Sequence, residues 1–406
     1  KPTMADDEAP VIVTAEAVAV LPPRPDGLIT FIHSDDFLPG AQTLLYSVKK
    51  SLPKKLNYPP ELVVLVTPNV SDEVRAALHP TFCTRIVEVD PISFPTDALQ
   101  AKQVVSSHVE SWGKQGSLTK LHIFRLDVYG TIVYLDADTL VVKDVSGLLE
   151  LGKMYQESEA LLAAAPDIFP PDKFNAGVLV VRPSQSVFDN MMQQRSLLAT
   201  YDGGDTGFLN AYFSEWFTAM PPFSRLSFGY NAQRFLHKCT YAKQPNYWDL
   251  AVAPDLHIIH YSSSPKPWEM KVAPAPSSDS AQKHLDKDDV KTLQKVAKTE
   301  ELEALWWKWY QRAQNYSKLA AAKREEKRRE EQEALAVASA ATAKRKTAPL
   351  TPKDTHKIVT KRYKELRSQG LNPKEAMKQA RIDVGANIEE PTASSQVAAM
   401  FGLSGL

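Results

Sequence analysis

Short runs of apolar and β-branched residues alternate with amphipathic stretches along the first two thirds of the chain. Residues 28–33 and 62–66 are apolar enough to form buried strands. Between them, residues 39–50 favour a helix that has Pro39 near its start. A strand, a helix and a second strand in this order predict a βαβ unit with a parallel sheet.

The same alternation continues to about residue 260. After a short helix capped by Ser71, we predict a strand at 85–89, a helix at 117–129 and the strand 131–140. The remaining predicted elements are strands at 160–165 and 177–181, helices at 184–198 and from about 204, and a final strand at 257–260. The pattern therefore predicts one large α/β domain.

The last third of the chain has a different composition. Prolines and serines between residues 265 and 280 mark the end of the α/β domain, and the aromatic cluster 305–310 is expected on a helix that packs against the core. Residues 318–346 are rich in Ala, Glu, Lys and Arg, as in a solvated helix or a disordered tail. Two short helices are predicted at 354–369 and 373–382, the second with Asn372 as its N-cap.

These shifts divide the chain into four parts. We predict a flexible leader at 1–26, the α/β domain at 27–272, a linker and packing helix at 273–316, and a charged helical or disordered extension at 317–406.

The bulk composition excludes several classes of protein. Lys and Arg together number 48, as do Asp and Glu, so the net charge of zero gives no general reason to bind nucleic acid or an anionic membrane. Only two cysteines occur, which argues against a disulfide framework and favours a reducing compartment. The apolar stretch 11–21 is too short to span a bilayer and follows acidic residues, so we expect a cytoplasmic protein.

Asp136 and Asp138 stand at the end of the apolar run that begins at Thr131. Side chains two residues apart in a strand point to the same side, so this pair can present two hard oxygen ligands to one divalent cation. An aspartate after a strand also commonly caps a turn or a helix, and the pair alone does not decide between these two interpretations.

Further motifs accompany the Asp-x-Asp pair in a fixed order. They are Leu-Thr-Lys-Leu-His at 118–122, Phe-Asn-Ala-Gly-Val at 174–178, Asp-Gly-Gly-Asp-Thr-Gly-Phe-Leu-Asn at 202–210, Phe-Gly-Tyr-Asn at 228–231 and His-Tyr-Ser-Ser-Ser-Pro-Lys-Pro-Trp at 260–268. Together they resemble the glycogenin-like enzymes of glycosyltransferase family 8. The resemblance implies a Rossmann-like GT-A fold with a mixed, mainly parallel sheet, and retaining transfer of a hexose from a UDP-sugar.

The resemblance also implies a metal site. Asp136, Asp138 and His260 match the family's cation ligands, and two carboxylates with one imidazole favour Mn²⁺ over Mg²⁺ or Ca²⁺. Taken by itself, His260 would more ordinarily be a core or capping histidine. The family's metal acts as a Lewis acid that stabilises UDP as the leaving group.

Other matching positions are implied to bind the donor. Lys266 and Lys120 match lysines that face the diphosphate. The positions implied for the uridine are Phe31, His33, Phe37 and Ala137, although the family usually has tyrosine where this chain has Phe37. Phe37 is as readily interpreted as a core residue. A position at the carboxyl end of the first strand is typical of ligand sites in open α/β sheets.

Asn175 and Asp205 match residues that hold the hydroxyls of the donor sugar near the anomeric carbon. Asp205 is interpreted first as a stabilising group and second as a nucleophile. Thr206 stands where glycogenins generally have glutamine, which leaves the choice between UDP-glucose and UDP-galactose open.

The acceptor is the least determined part of the prediction. In an ungapped comparison, Lys238 stands where glycogenin has the tyrosine that it glucosylates, and Tyr241 serves only if the loop is longer. The glycogen-synthase-binding tail is also not recognisable. We therefore expect transfer to a separate glycan or glycoprotein, and keep three alternatives: self-glucosylation, transfer to inositol as in galactinol synthase, and a non-catalytic scaffold. The family's frequent dimers imply a possible homodimer.

Overall fold

The computed structural model describes residues 24–95, 118–154, 162–168, 170–241, 246–270, 299–347 and 351–385. A six-stranded sheet lies at its centre. Its strands are β1 Gly27–Ile32, β2 Glu61–Val66, β3 Arg85–Glu88, β4 Ile132–Leu135, β6 Leu162–Pro166 and β7 Phe174–Val181. Their order in the sheet is β3-β2-β1-β4-β7-β6. Strands β1 to β4 pair in parallel, whereas β7 runs antiparallel to both β4 and β6. The predicted α/β fold with a mixed, mainly parallel sheet is confirmed.

A second, three-stranded sheet is formed by β5 Thr139–Val141, β8 Ala232–Gln233 and β9 Ile258–His260. In this sheet β9 is central, and His260 at its end is paired with Thr139 on one side and Gln233 on the other. The pairing brings the end of β9 next to the turn that joins β4 to β5.

The strands alternate their side chains between two cores, one on each face of the six-stranded sheet. In β1, Leu28 and Ile32 lie in one core and Ile29 lies in the other. In β4, Val133 belongs to the first core and Tyr134 to the second. This period of two is expected for a sheet that is covered on both faces.

Helices cover these faces and extend beyond the sheet. They are α1 Leu38–Ser51, α2 Asp72–Leu78, α3 Ser146–Met154, α4 Gln185–Gln194, α5 Asp205–Tyr212, α6 Arg234–Tyr241, α7 Thr299–Thr347, α8 Pro352–Ser368 and α9 Pro373–Asp383. The predicted caps are confirmed, since the side chain of Ser71 accepts from the Val74 N–H and that of Asn372 accepts from the Glu375 N–H.

Two predicted elements are corrected. The helix expected at 117–129 is a 3₁₀ helix limited to Thr119–Arg125; its residues 119–124 are all buried, so contacts on every side, rather than one apolar face, set its backbone. The strand expected at 131–140 ends at Leu135, where the Thr139 N–H donates to the Asp136 carbonyl at 3.0 Å and closes a turn. Of the leader predicted at 1–26, residues 1–23 lie outside the described residues.

Contacts divide the chain into two units, Lys1–Ala322 and Lys323–Leu406. In the first unit, the predicted packing of the aromatic helix is confirmed, since Trp306 on α7 is fully buried in the core. In the second unit, α8 and α9 pack on each other through a small cluster made of Val359, Leu366, Ala376 and Ala380. Among the described helices, none combines the length and the apolarity that crossing a bilayer requires.

Candidate functional site

Asp136, Asp138 and His260 meet at the carboxyl end of β4. Their ligand atoms all lie within 4.8 Å of one another, and His260 Nε2 is 3.3 Å from Asp138 Oδ1 and 3.9 Å from Asp136 Oδ2. Both carboxylates come from the turn between β4 and β5 rather than from one strand. The predicted convergence is thus observed, but through a turn and the neighbouring strand β9.

The imidazole of His260 is oriented by a chain of amides. Asn231 donates from Nδ2 to Asn175 Oδ1 at 2.9 Å, so its Oδ1 faces His260 Nδ1, 2.8 Å away. Nδ1 of His260 therefore donates to Asn231, and Nε2 faces the two carboxylates. Two carboxylates and one imidazole nitrogen within 4.8 Å of one another are an arrangement that can hold a divalent cation, and an oriented histidine is typical of metal sites. The residues present fit a bound metal.

Gly177 on β7 leaves the space that this histidine fills. A Cβ at this position would lie 2.3 Å from His260 Cε1 and 2.6 Å from its Nδ1. The glycine also donates its N–H to Asn175 Oδ1 at 2.9 Å. The Phe-Asn-Ala-Gly motif thus supplies both the amide that orients the site and the gap beside it.

Lys120 is buried between two carboxylates. Its Nζ lies 2.6 Å from Asp205 Oδ2 and 2.9 Å from Asp136 Oδ1, and it donates to the Ala176 carbonyl at 3.0 Å. All three hydrogens of the ammonium therefore have acceptors. Burial disfavours the charged form, but Asp136 and Asp205 together hold the pKa of Lys120 above its ordinary value.

Asp205 begins α5, where its Oδ1 accepts from the Thr206 N–H at 2.7 Å. Burial raises the pKa of Asp205 against the opposing effect of Lys120, and Asp136 raises it further. The hydroxyl of Thr206 accepts from the Ala176 N–H at 3.2 Å and fixes the start of α5 against β7. The start of α5, with Asp205, is thereby held against β7, the strand that carries Asn175, the other residue predicted at the sugar.

Lys266 contacts Asp138, the other aspartate of the pair. Its Nζ is 2.5 Å from Asp138 Oδ2 and 3.3 Å from the Tyr261 carbonyl. Burial alone would raise the pKa of Asp138, but Lys266 and His260 lower it well below its usual range. Asp138 is therefore ionised over the whole physiological pH range.

The residues predicted at the nucleoside form an aromatic row at the carboxyl end of β1. Ring centroids are 6.3 Å apart for Phe31 and His33, 4.9 Å for His33 and Phe37, and 5.8 Å for Phe37 and Trp268. Ala137 lies between the two aspartates, and its carbonyl packs against α1, where a Cβ on Gly40 would come within 2.6 Å of it. The predicted residues therefore form a charged cluster and an aromatic row, which Ala137 and Trp268 connect.

Two residues at the site carried no predicted role. Asn231 was recognised only as the end of a motif, and Tyr134, whose hydroxyl donates to Asp136 Oδ1 at 2.7 Å, was predicted only as part of a strand. The position of Tyr134, two residues before Asp136 in the strand predicted at 131–140, was the signal available in the sequence.

Lys238, the position compared with the glucosylated tyrosine of glycogenin, lies on α6. Its Nζ is 3.1 Å from Glu303 Oε1 on α7. Tyr241 is the last residue of α6, and its side chain lies outside the described part of the structure.

The α/β fold thus gathers two aspartates, a histidine and two buried lysines at the carboxyl end of its central strands. The chain matches the model of glycosyl transferase family 8 over residues 28–271 and belongs to that family.

Among known relatives, the chain is 34% identical to human glycogenin-1 over 190 residues, which is 47% of this chain and 49% of that protein. It is 30% identical to inositol phosphorylceramide glucuronosyltransferase 1 of Arabidopsis thaliana over 248 residues, which is 57% of this chain and 40% of that protein. The chain thus spans about half the length, or less, of these relatives.

Similar solved structures include the galactosyltransferase LgtC in complex with donor and acceptor sugar analogs. That structure is 18% identical with a TM-score of 0.40, and the similarity covers 67% of this chain and 95% of LgtC. The apo form of the glycosyltransferase GlyE of Streptococcus pneumoniae is 17% identical with a TM-score of 0.43, covering 70% of this chain and 63% of that one.

Proposed function

We propose that the protein is a Mn²⁺-dependent, retaining hexosyltransferase that moves glucose or galactose from a UDP-sugar to a hydroxyl of a glycan or glycoprotein. The observation that carries the proposal is the cluster of Asp136, Asp138 and His260, in which Nε2 of the histidine faces both carboxylates. Two hard oxygen ligands and one nitrogen ligand suit Mn²⁺. When bound, the cation supplies the Lewis acid that stabilises the diphosphate leaving group.

The other side chains take roles that follow from their positions. Lys266, 2.5 Å from Asp138, places a positive charge where the diphosphate of the donor meets the metal ligands. Asp205 and Asn175 face the sugar, because Lys120 ties Asp205 to Asp136 and Asn231 ties Asn175 to His260. The uridine lies along the aromatic row of Phe31, His33 and Phe37, with the backbone of Ala137 against the ribose.

Lys120 takes a different part from the one its motif implied. Its three hydrogens are used by Asp136, Asp205 and the Ala176 carbonyl. We propose that Lys120 contributes to donor binding chiefly by fixing the two carboxylates. It can contact the phosphates only if one of its three present hydrogen bonds breaks.

A second candidate function is self-glucosylation, which the similarity to glycogenin-1 favours. Against it, Lys238 has no hydroxyl to glucosylate and is paired with Glu303. Transfer to inositol remains an alternative acceptor chemistry. A scaffold without activity is disfavoured, because the ionised, mutually paired side chains of the site cost stability unless they serve a ligand.

A donor panel tests the proposal. The protein is incubated with Mn²⁺ and UDP-glucose, UDP-galactose or UDP-glucuronic acid, the last included because of the name of the Arabidopsis relative, and release of UDP is measured. We expect turnover with a UDP-hexose, its loss on chelation of the metal, and its loss in Asp138→Asn. The exposed Asp72→Asn at the start of α2 is the matched control and should remain active. No turnover with any donor would favour the scaffold.

Intact mass after exposure to UDP-glucose separates the acceptors. An unchanged mass supports a separate acceptor, whereas a ladder of added hexoses that disappears in Tyr241→Phe would establish self-glucosylation. The domain limits 27–272, the cytoplasmic location and the homodimer stay predictions from the sequence.

A further inference from the structure

Arg234, the first residue of α6, lies fully buried beside the segment that carries Lys266. Its Nη2 donates to the carbonyl of Ser263 at 2.9 Å and to that of Pro265 at 2.5 Å. Both of these residues are exposed and lie within three positions of Lys266. The buried guanidinium of Arg234 thus fixes the backbone of the exposed segment 263–265 through two hydrogen bonds.

Helix α7 holds the guanidinium in turn. Nη1 of Arg234 is 3.2 Å from Oε1 of Glu303, a residue of α7 that is itself buried. One residue earlier, the Leu302 carbonyl accepts from the Tyr261 hydroxyl at 2.6 Å. The same helix therefore contacts the chain on the amino-terminal side of Lys266 directly at Tyr261, and indirectly through Arg234 at Ser263 and Pro265.

A third contact lies on the carboxyl-terminal side of Lys266. Trp306, one turn along α7 from Glu303, packs against Trp268 with ring centroids 5.3 Å apart. Trp268 continues to Phe37 in the aromatic row, 5.8 Å away. Lys266 is consequently bracketed by two anchors that come from one helix.

The buried ion pair is poorly suited to a purely stabilising role. Among the described residues, Arg234 Nε and Glu303 Oε2 are buried without a hydrogen-bond partner. Buried charges with incomplete hydrogen bonding stabilise a fold no better than apolar side chains of similar volume. Unlike an apolar pair, this pair supplies guanidinium N–H groups that donate to the carbonyls of Ser263 and Pro265.

We propose that Arg234 and Glu303 are positioning residues that fix the 263–265 backbone and thereby hold Lys266 at the metal ligands, so that binding of the donor diphosphate depends on α7. Helix α7 begins at Thr299, beyond the family match at 28–271. The inference rests on the proposed function, because it takes Lys266 as the residue that meets the diphosphate.

A double-mutant cycle tests the coupling. The Kd of UDP in the presence of Mn²⁺ is measured by calorimetry for the wild type, Glu303→Gln, Lys266→Met and the combination. We expect Glu303→Gln alone to raise the Kd about tenfold, since a misplacement of about 1 Å at a binding group can cost up to about a hundredfold. In the Lys266→Met background the same change should add less than about twofold, because residues that act through one another are not additive.

Lys238→Met is the matched control. Lys238 also contacts Glu303, but its side chain is 39% exposed and the Arg234 contact to the 263–265 backbone stays in place without it. Its Kd for UDP should equal that of the wild type.

The outcomes separate the two proposals. A wild type that binds no UDP with Mn²⁺ overturns the proposed function and this inference with it. Binding by the wild type with an unchanged Kd in Glu303→Gln, or an equal loss in both backgrounds, overturns the inference alone.

A second variant covers the case in which Glu303→Gln does not fold. Arg234→Met combined with Glu303→Leu replaces the pair by apolar side chains of similar volume, an exchange that buried ion pairs often tolerate. This variant is expected to keep the wild-type melting temperature within a few degrees and still to bind UDP about tenfold more weakly. A folded double variant with wild-type affinity would refute the positioning role.

Discussion

The charged cluster of the site and the exposed part of the second unit both contain ion pairs between a lysine and an acidic residue, but these pairs differ in how much they matter for stability. Lys120 keeps 6% of its side chain exposed between Asp136 and Asp205, whereas Lys327 and Glu331 on α7 pair at 3.6 Å with 77% and 67% of their side chains exposed. In water an ion pair is screened and contributes little, but a buried charge that loses its partner is strongly destabilising. Burial, rather than the number of ion pairs, therefore decides which charges the molecule depends on.

Lys120→Met should show the largest effect. It leaves Asp136 and Asp205 without their shared counter-ion, and removing one partner of a buried ion pair costs about 3–5 kcal/mol of unfolding free energy. Because both carboxylates also shift, we expect UDP release from the donor to fall by at least about a hundredfold. Urea unfolding and the donor assay measure the two losses.

Lys153→Met is the control for this change. Lys153 pairs with Glu150 at 2.7 Å on α3, but the two side chains are 55% and 69% exposed, so its loss should cost less than about 0.5 kcal/mol. Equal destabilisation by the two substitutions would show that burial does not distinguish the pairs.

The sequence predicted the parts of this comparison that are local. Ser71 and Asn372 were recognised as caps because a capping side chain acts on an N–H three residues away, and both act so in the structure. The strands followed from apolar runs, and the gathering of Asp136, Asp138 and His260 followed from the family motifs.

What the sequence did not reveal joins residues far apart in the chain. Asn231 and His260 are 29 positions apart, and Arg234 and Glu303 are 69 apart, so no periodicity connects them. The helix around Lys120 was predicted, but its 3₁₀ type and its limits were not, because burial on every side removes the amphipathic pattern by which the extent of a helix is recognised. The partners of a buried charge become visible only when the fold is known.

Gly177→Ala adds a single methyl group beside the buried cluster and tests how tightly its side chains are packed. The new Cβ would lie 2.3 Å from His260 Cε1, so the imidazole or β7 must move, and overpacking of this kind costs about 1–3 kcal/mol. Displacing His260 should also raise the Mn²⁺ concentration needed for half-maximal UDP release. A metal titration of activity and a urea unfolding curve give both values.

The matched change is Gly147→Ala on α3. A Cβ there has as its nearest neighbour the Tyr230 hydroxyl at 3.9 Å, and alanine favours a helix, so stability should stay the same or rise slightly. If Gly177→Ala leaves the metal dependence unchanged, the space beside His260 is not what holds the imidazole in place.

The smallest effect is expected for Asp383→Asn at the end of α9. Asp383 accepts from Gln379 at 2.7 Å and from Arg362 of α8 at 2.7 Å, and these contacts lower the pKa of Asp383 below its ordinary value of 3.8. A lowered pKa means that the ionised carboxylate stabilises the helix pair above the unfolded-state pKa, and that this contribution disappears as the pH falls through the folded-state value. Amide hydrogen exchange of peptides from α8 and α9 in the full chain, compared at equal pH, should therefore be at most a few-fold faster in the variant at pH 7 and equal to the wild type near pH 2.

Two outcomes would contradict this expectation. A difference in exchange that persists at pH 2 would mean that the asparagine disturbs packing rather than charge. A loss of stability as large as that of Lys120→Met would mean that buried and exposed ion pairs do not differ in their contribution.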